Sequence, residues 1–274
     1  MPHSEFIAHI GLPKCASSSL QANLLSKINN SEYIGSTTLS NVAGDENIIT
    51  LNPNTILHEK IINYINEKTS NSDEIKENLK AIILKTKGKV IFSSEWITCC
   101  RFVQNKPWER IKLLSDIIPK DSKIIFIYRR HIDLIKSLYR DHQYLDKKEN
   151  LTIEEFVNQI LSKKYINSLK FKKIYEAMIE NFEPKNIYLF NLDDCKNKDI
   201  IFYVNNSLNL GYQKLSGIKN AIESKNNGIS IKQFYYLRMV RKLSFLKIFI
   251  PKLIYLSIHK FLIQILSSNK KMTI

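Results

Sequence analysis

The run Ile10-Gly11-Leu12-Pro13-Lys14-Cys15-Ala16-Ser17-Ser18-Ser19-Leu20 places one lysine and three consecutive serines between an apolar stretch and a helically spaced one. A loop that joins a strand to a helix N-terminus is an anion site. Its N–H groups have no helical acceptor, and the helix dipole favours negative charge. Lys14 adds a point charge there, and the serines add hydroxyl donors. A second group follows the apolar run Lys123–Tyr128: Arg129-Arg130-His131, with Ser137 eight residues after Arg129 and Tyr139 two further on. A guanidinium at the carboxyl end of a parallel strand faces the crevice where such sheets bind ligands, and it can grip a phosphate with two parallel hydrogen bonds. Cations at a helix start oppose the dipole unless an anion is bound. A third group is Ser94-Glu95-Trp96, directly after the apolar run Lys89–Ser93. Its carboxylate would open into the same crevice as a proton acceptor. Helix caps, a solvated basic turn or an ion-paired glutamate would use the same letters. The order of the three groups, each after a strong strand signal, is what favours chemistry.

The first loop lacks the Gly-Lys-Ser/Thr that nucleotide triphosphatases carry five residues after their first glycine; Ala16-Ser17-Ser18 stands there instead. The strand Lys123–Tyr128 does not end in aspartate, so the usual magnesium-positioning carboxylate is missing. The expectation is a phosphate-bearing ligand held without a metal.

These motifs resemble those of sulfotransferases that use 3′-phosphoadenosine 5′-phosphosulfate (PAPS). Their 5′-phosphosulfate loop reads Pro-Lys-x-Gly-Thr-Thr, or has serines for the threonines. The resemblance implies that Lys14, Ala16, Ser17, Ser18 and Ser19 hold the 5′ end of PAPS, and that Arg129 and Ser137 hold its 3′-phosphate. It implies a P-loop nucleotide-kinase-like fold and transfer of a sulfuryl group to an acceptor hydroxyl, with a glycan or glycolipid favoured. Glu95 is the candidate base and His142 the second choice; Lys14 counts with Glu95 as catalytic. Family members place cofactor contacts in a loop before the last helices, which makes Lys225 a candidate in Glu223–Gly228. Ala16 replaces the family's glycine. A methyl group resists positive φ, so right-handed or extended backbone is expected there. His131 stands where many members have proline.

Positioning these residues requires alternating strands and helices. Continuous apolar runs at Phe6–Ile10, Lys89–Ser93, Lys123–Tyr128 and Asn186–Phe190 read as buried parallel strands. Helical spacing recurs at Ser17–Ile28, Thr55–Glu67, Asp73–Lys85 (capped by Ser72 or Asp73), Pro107–Ile118, His131–Tyr144, Thr152–Leu161, Ser168–Asn181 and Lys198–Leu208. Ile34–Glu46 reads as polar and turn-rich. The fold class is α/β: three layers, with a mostly parallel central sheet and helices on both faces. A single domain over 1–274 is expected, with 229–274 a C-terminal helical extension (Ser230–Lys242 and Phe245–Leu266).

The 274 residues are 44% apolar and 24% charged, values that argue against disorder, collagen or a multi-span membrane protein. Gly and Pro, seven each, are too few for a loop-rich all-β sandwich. The net charge of +15 suits polyanionic or phosphorylated and sulfated ligands. No specific nucleic-acid motif accompanies it, so a nucleotide- or nucleic-acid-binding protein without catalysis is the alternative reading. Four cysteines without metal-ligand spacing fit a reduced compartment. The start lacks a basic n-region and an apolar h-region, so a cytoplasmic location is expected. Leu243–Leu266, interrupted by Lys247, Lys252, His259 and Lys260, is no convincing span; a peripheral contact of 243–266 with the inner membrane face is the weaker expectation.

Overall fold

The computed structural model describes residues 4–35, 54–67, 71–99, 105–145, 151–162, 164–195 and 200–211. Lys225, both C-terminal helices, the 229–274 extension and the 243–266 membrane contact lie outside the described residues. By internal contact the chain forms two units: 1–134 with 159–226, and 135–158 with 227–274.

The first unit is built on five parallel strands: β1 (Glu5–His9), β2 (Ser31–Gly35), β3 (Lys89–Ser93), β4 (Lys123–Tyr128) and β5 (Ile187–Asn191), in spatial order β2-β3-β1-β4-β5. The three central strands are buried almost from end to end, as their uninterrupted apolar runs require. The helices are α1 (Ser17–Asn23), α2 (Thr55–Glu67), α3 (Ser72–Lys85), α4 (Pro107–Ile117), α5 (His131–Leu145), α6 (Ile153–Ser162), α7 (Phe171–Asn181) and α8 (Ile200–Leu208). Contacts gather α2, α3, α4 and α7 into one group and pair α1 with α8, as a sheet covered on both faces needs. No helix among the described residues is long and apolar enough to cross a membrane.

Three local departures from the sequence reading have plain causes. β2 is a strand where a polar turn region was expected to start. It is an edge strand whose first three residues are only half-buried, so Ser31-Glu32-Tyr33 can pair in register without an apolar run. The helix expected over Ser17–Ile28 stops at Asn23; Leu24 leaves helical backbone and Leu25–Lys27 continues as a 3₁₀ turn. The cap of α3 is Asn71, whose side-chain oxygen accepts from Asp73 N at 3.0 Å, one residue before the expected caps.

Strand order fixes where a ligand can bind. β1 is central, the chain runs first to the β3–β2 side, and β4 and β5 then add on the other side. The connections therefore part at the carboxyl ends of β1 and β4. Beyond β1 the chain stays against its neighbours: Ser94 N donates to His9 O (2.9 Å), Ile10 N to Ile125 O (3.0 Å) and Leu12 N to Ile127 O (3.1 Å).

A buried polar cluster lies under this rim. His9 Nδ1 and Ser93 Oγ share a hydrogen bond of 2.8 Å, and Gln21 Nε2 donates to the same oxygen at 3.0 Å. His58, from α2, stacks near Phe92 with ring centroids 5.8 Å apart. Burial lowers both His9 and His58 to about 4, so both imidazoles are neutral. The unfolded chain would protonate them near the ordinary 6.5 and so binds protons first as pH falls. Stability should therefore be full above pH 6.5 and decline towards pH 4. Each histidine should contribute about 2 kcal/mol of loss between pH 6.5 and 5. Urea unfolding of wild type and His58→Gln at pH 7.5 and 5 measures this; equal acid sensitivity in both proteins would show that His58 is not buried neutral.

Candidate functional site

The loop between β1 and α1 carries left-handed backbone at two residues that are not glycine, Lys14 (φ 62°) and Ala16 (φ 61°). The expectation of right-handed or extended backbone at Ala16 is therefore wrong. Left-handed backbone costs an L-residue about 1–2 kcal/mol, and the surroundings must supply it. They do so by fixing the loop's carbonyls. Thr98 Oγ1 donates to Gly11 O at 2.8 Å, Ser17 Oγ to Leu12 O at 3.4 Å, Arg129 Nη1 to Lys14 O at 3.4 Å, and Leu20 N to Ala16 O at 2.9 Å. With its carbonyls turned to these donors, the loop leaves N–H groups for a ligand. Those of Ser17, Ser18 and Ser19 begin α1 and have no helical acceptor. Gly11 serves a different need: a Cβ there would lie 2.7 Å from His9 Nε2.

The serines divide by position. Ser17 is buried and used within the loop, Ser19 is half-buried, and Ser18, like Lys14, is exposed.

The resemblance assigns Arg129 rather than Arg130, and the two side chains are placed differently. Arg130 is exposed and paired with Asp133, Nη2 to Oδ2 at 2.7 Å. Arg129 turns towards the loop. Its Nη2 lies 3.5 Å from Asp193 Oδ1, and its Nε is buried without an acceptor. Asp193, almost fully buried, also accepts from Arg130 N at 2.6 Å. Asp193 is the site residue that sequence reasoning missed. It follows β5, the adjacent strand, and only the pairing of β4 with β5 brings it to Arg129. The acidic Asp193–Asp194 turn after an apolar strand was the available signal.

Cys15 joins the groups. Burial pushes its thiol up to about 12, so it is inert; Arg129 pulls it down, and Asp193 and Glu95 push it further up. Arg129, Asp193 and Glu95 therefore all act on one side chain inside the loop. Glu95 opens a 3₁₀ turn, Glu95–Ile97, after β3 and is half-buried. Arg110, fully buried on α4, braces that turn by donating from Nη1 to Trp96 O and to Cys99 O, the latter at 2.7 Å. Trp96 is 38% exposed, so it is no core tryptophan. His131 shares a 2.7 Å hydrogen bond with Leu169 O and stacks on Phe171 at 4.1 Å.

Ser137 is half-buried on α5 and belongs to the second unit, where Tyr139 Oη donates to Leu151 O at 2.9 Å. His142 lies on α5, but its side chain, like Lys225, is outside the described residues.

No family model matches the chain, and no curated protein does. Among solved structures the chain is similar to a sulfotransferase from Alicyclobacillus acidocaldarius, at 15% identity over 90% of this chain and 97% of that one, TM-score 0.47. It is similar to a thymidylate kinase from Candida albicans at 12% identity, over 77% and 94%, TM-score 0.36. It is also similar to a retinol dehydratase in complex with androsterone and the inactive cofactor PAP, at 13% identity, over 85% and 69%, TM-score 0.37.

The left-handed loop makes a test. At an ordinary position Ala→Gly costs about 0.5–1 kcal/mol. Ala16→Gly should instead leave stability unchanged or raise it by up to about 1 kcal/mol, because it relieves the φ 61° backbone. Denaturant unfolding measures the difference; a loss of 1 kcal/mol or more would place Ala16 in ordinary backbone.

Proposed function

We propose that this protein is a sulfotransferase that moves a sulfuryl group from PAPS to an acceptor hydroxyl, on a glycan or glycolipid. One observation supports the reading: Arg129 Nη1 donates to the Lys14 carbonyl, so the arginine after β4 and the lysine loop after β1 meet at the switch point of the sheet. An anionic donor fits these residues. Arg129 Nε is buried and lacks an acceptor, and exposed Lys14 and Ser18 stand beside N–H groups that α1 does not use.

The donor supplies a sulfuryl group on a phosphate leaving group. Lys14, the Ser17–Ser19 N–H groups and the Ser18 and Ser19 hydroxyls neutralise the charge that builds on the leaving phosphate. Arg129, held by Asp193, grips the second phosphate. Glu95, on the carboxyl-end rim after β3, takes the proton of the attacking hydroxyl.

The desulfated product, PAP, should raise the melting temperature without magnesium, because it binds only the folded state. Lys14→Ala and Arg129→Lys should lose most of that shift, the second because lysine lacks the bidentate fork. Glu95→Gln should keep the shift but lose about a hundredfold or more in turnover of labelled PAPS. Stabilisation by ATP with magnesium and not by PAP would assign the pocket to a nucleotide kinase. Stabilisation by duplex DNA at low salt alone would assign the basic surface to nucleic acid.

A further inference from the structure

Trp108 stands at the start of α4, half-buried, with three lysine ammonium groups over its indole ring. Lys173 Nζ lies 5.3 Å from the ring centroid, and Lys106 and Lys170 Nζ each lie 5.9 Å from it. Each contact alone is an ordinary cation–π distance. Three on one ring are not self-explanatory, since like charges gathered around one side chain repel. Only Lys106 has local compensation, from Glu109 at 3.4 Å. Among the described residues no carboxylate lies within ion-pair distance of Lys170 or Lys173. The cluster carries a surplus of two positive charges on an aromatic face.

Its place in the fold ties it to the rim. In a parallel sheet each crossover helix begins at the carboxyl end of the preceding strand, and α4 follows β3 in this way. Lys170 and Lys173 lie at the start of α7, which packs against α4. The segment before α7 is pinned to the candidate site: Ser168 Oγ donates to Thr98 O at 2.9 Å, and Thr98 Oγ1 donates to Gly11 O at 2.8 Å. The aromatic–basic cluster is thus held by the residues that hold the phosphate-binding loop.

We propose that Trp108 with Lys106, Lys170 and Lys173 is a docking site for an anionic sugar, and that it selects acidic glycans as the acceptor class. This rests on the sulfotransferase reading for its role, though not for binding itself. The part of the indole that the ammonium groups leave uncovered offers an apolar surface against which the C–H bonds of a pyranose ring can pack. The lysines around that face supply point charges for a carboxylate or sulfate on the same or the next sugar. The cluster spans one ring and its three flanking ammonium groups, the size of one or two sugar units. Duplex nucleic acid needs a longer row of phosphate contacts. A membrane surface favours an apolar face with its lysines on the opposite side, not around the ring.

The test uses the full chain carrying Trp96→Phe, so that Trp108 is the reporting tryptophan. Its emission is followed during titration with tetragalacturonate and, separately, neutral maltotetraose. Tetragalacturonate should change the emission saturably, with affinity falling as salt rises, while maltotetraose should not. Lys170→Ala with Lys173→Ala should weaken binding at least about tenfold, the scale of one lost charge-assisted contact. Lys173 is exposed and Lys170 half-buried, and an unchanged melting temperature verifies the fold of that variant. The proposal is overturned if tetragalacturonate gives no saturable change, or if the double variant binds as tightly as its parent. It is also overturned if a short DNA duplex or phosphatidylglycerol vesicles bind more tightly with the same lysine dependence. PAP stabilisation separates the two readings. PAP binding without tetragalacturonate binding sinks only this inference; tetragalacturonate binding without PAP binding supports the sugar site and sinks the sulfotransferase reading.

Discussion

The candidate site depends on a loop that keeps two ordinary L-residues, Lys14 and Ala16, in left-handed backbone. That conformation is uphill for each of them, so it persists only because distant parts of the chain fix the loop's carbonyl groups. Thr98 comes from the β3 side, Arg129 from the end of β4, and Ser17 from the helix the loop leads into. Once the carbonyls are committed, the N–H groups that begin α1 are what the loop turns outward. The loop's suitability for an anion is a consequence of how its acceptors are satisfied.

The same bonds link the site to its neighbours. Arg129 reaches the loop while leaning on Asp193, which itself also accepts the Arg130 backbone N–H. Thr98 holds Gly11 with its hydroxyl and receives Ser168 on its carbonyl, so one residue links the segment before α7 to the loop. Arg110 braces the turn that carries Glu95. Strand ends that are far apart in sequence therefore act as one rim, and the buried, neutral His9 lies directly beneath it, close enough to require a glycine at position 11.

Much of this was legible in the residues. Buried parallel strands need uninterrupted apolar runs, so β1, β3, β4 and β5 stand out as runs bounded by turns, and their alternation with helical spacing implies the α/β class. Lys14, the serines, Arg129 and Glu95 are legible as candidates for a related reason: each lies in the segment that follows a strand, and in such a sheet those segments border the crevice. Local spacing determined these features because each depends on a few consecutive residues.

What local spacing could not determine were features set by partners far along the chain. β2 is a polar edge strand defined by its pairing with β3. Ala16 adopts backbone that its own side chain opposes, because Arg129, Thr98 and Ser17 hold the carbonyls around it. Asp193 reaches Arg129 and Arg130 only through the register of β5 on β4; Arg129 differs from its neighbour in reaching the Lys14 carbonyl, whereas Arg130 also pairs with Asp133. Lys170 and Lys173 meet Trp108 only because α7 packs on α4. The reason is common to all four: a strand signal or a helix face is encoded within a few residues, whereas backbone strain, ion pairing and charge convergence depend on which surfaces the fold brings together.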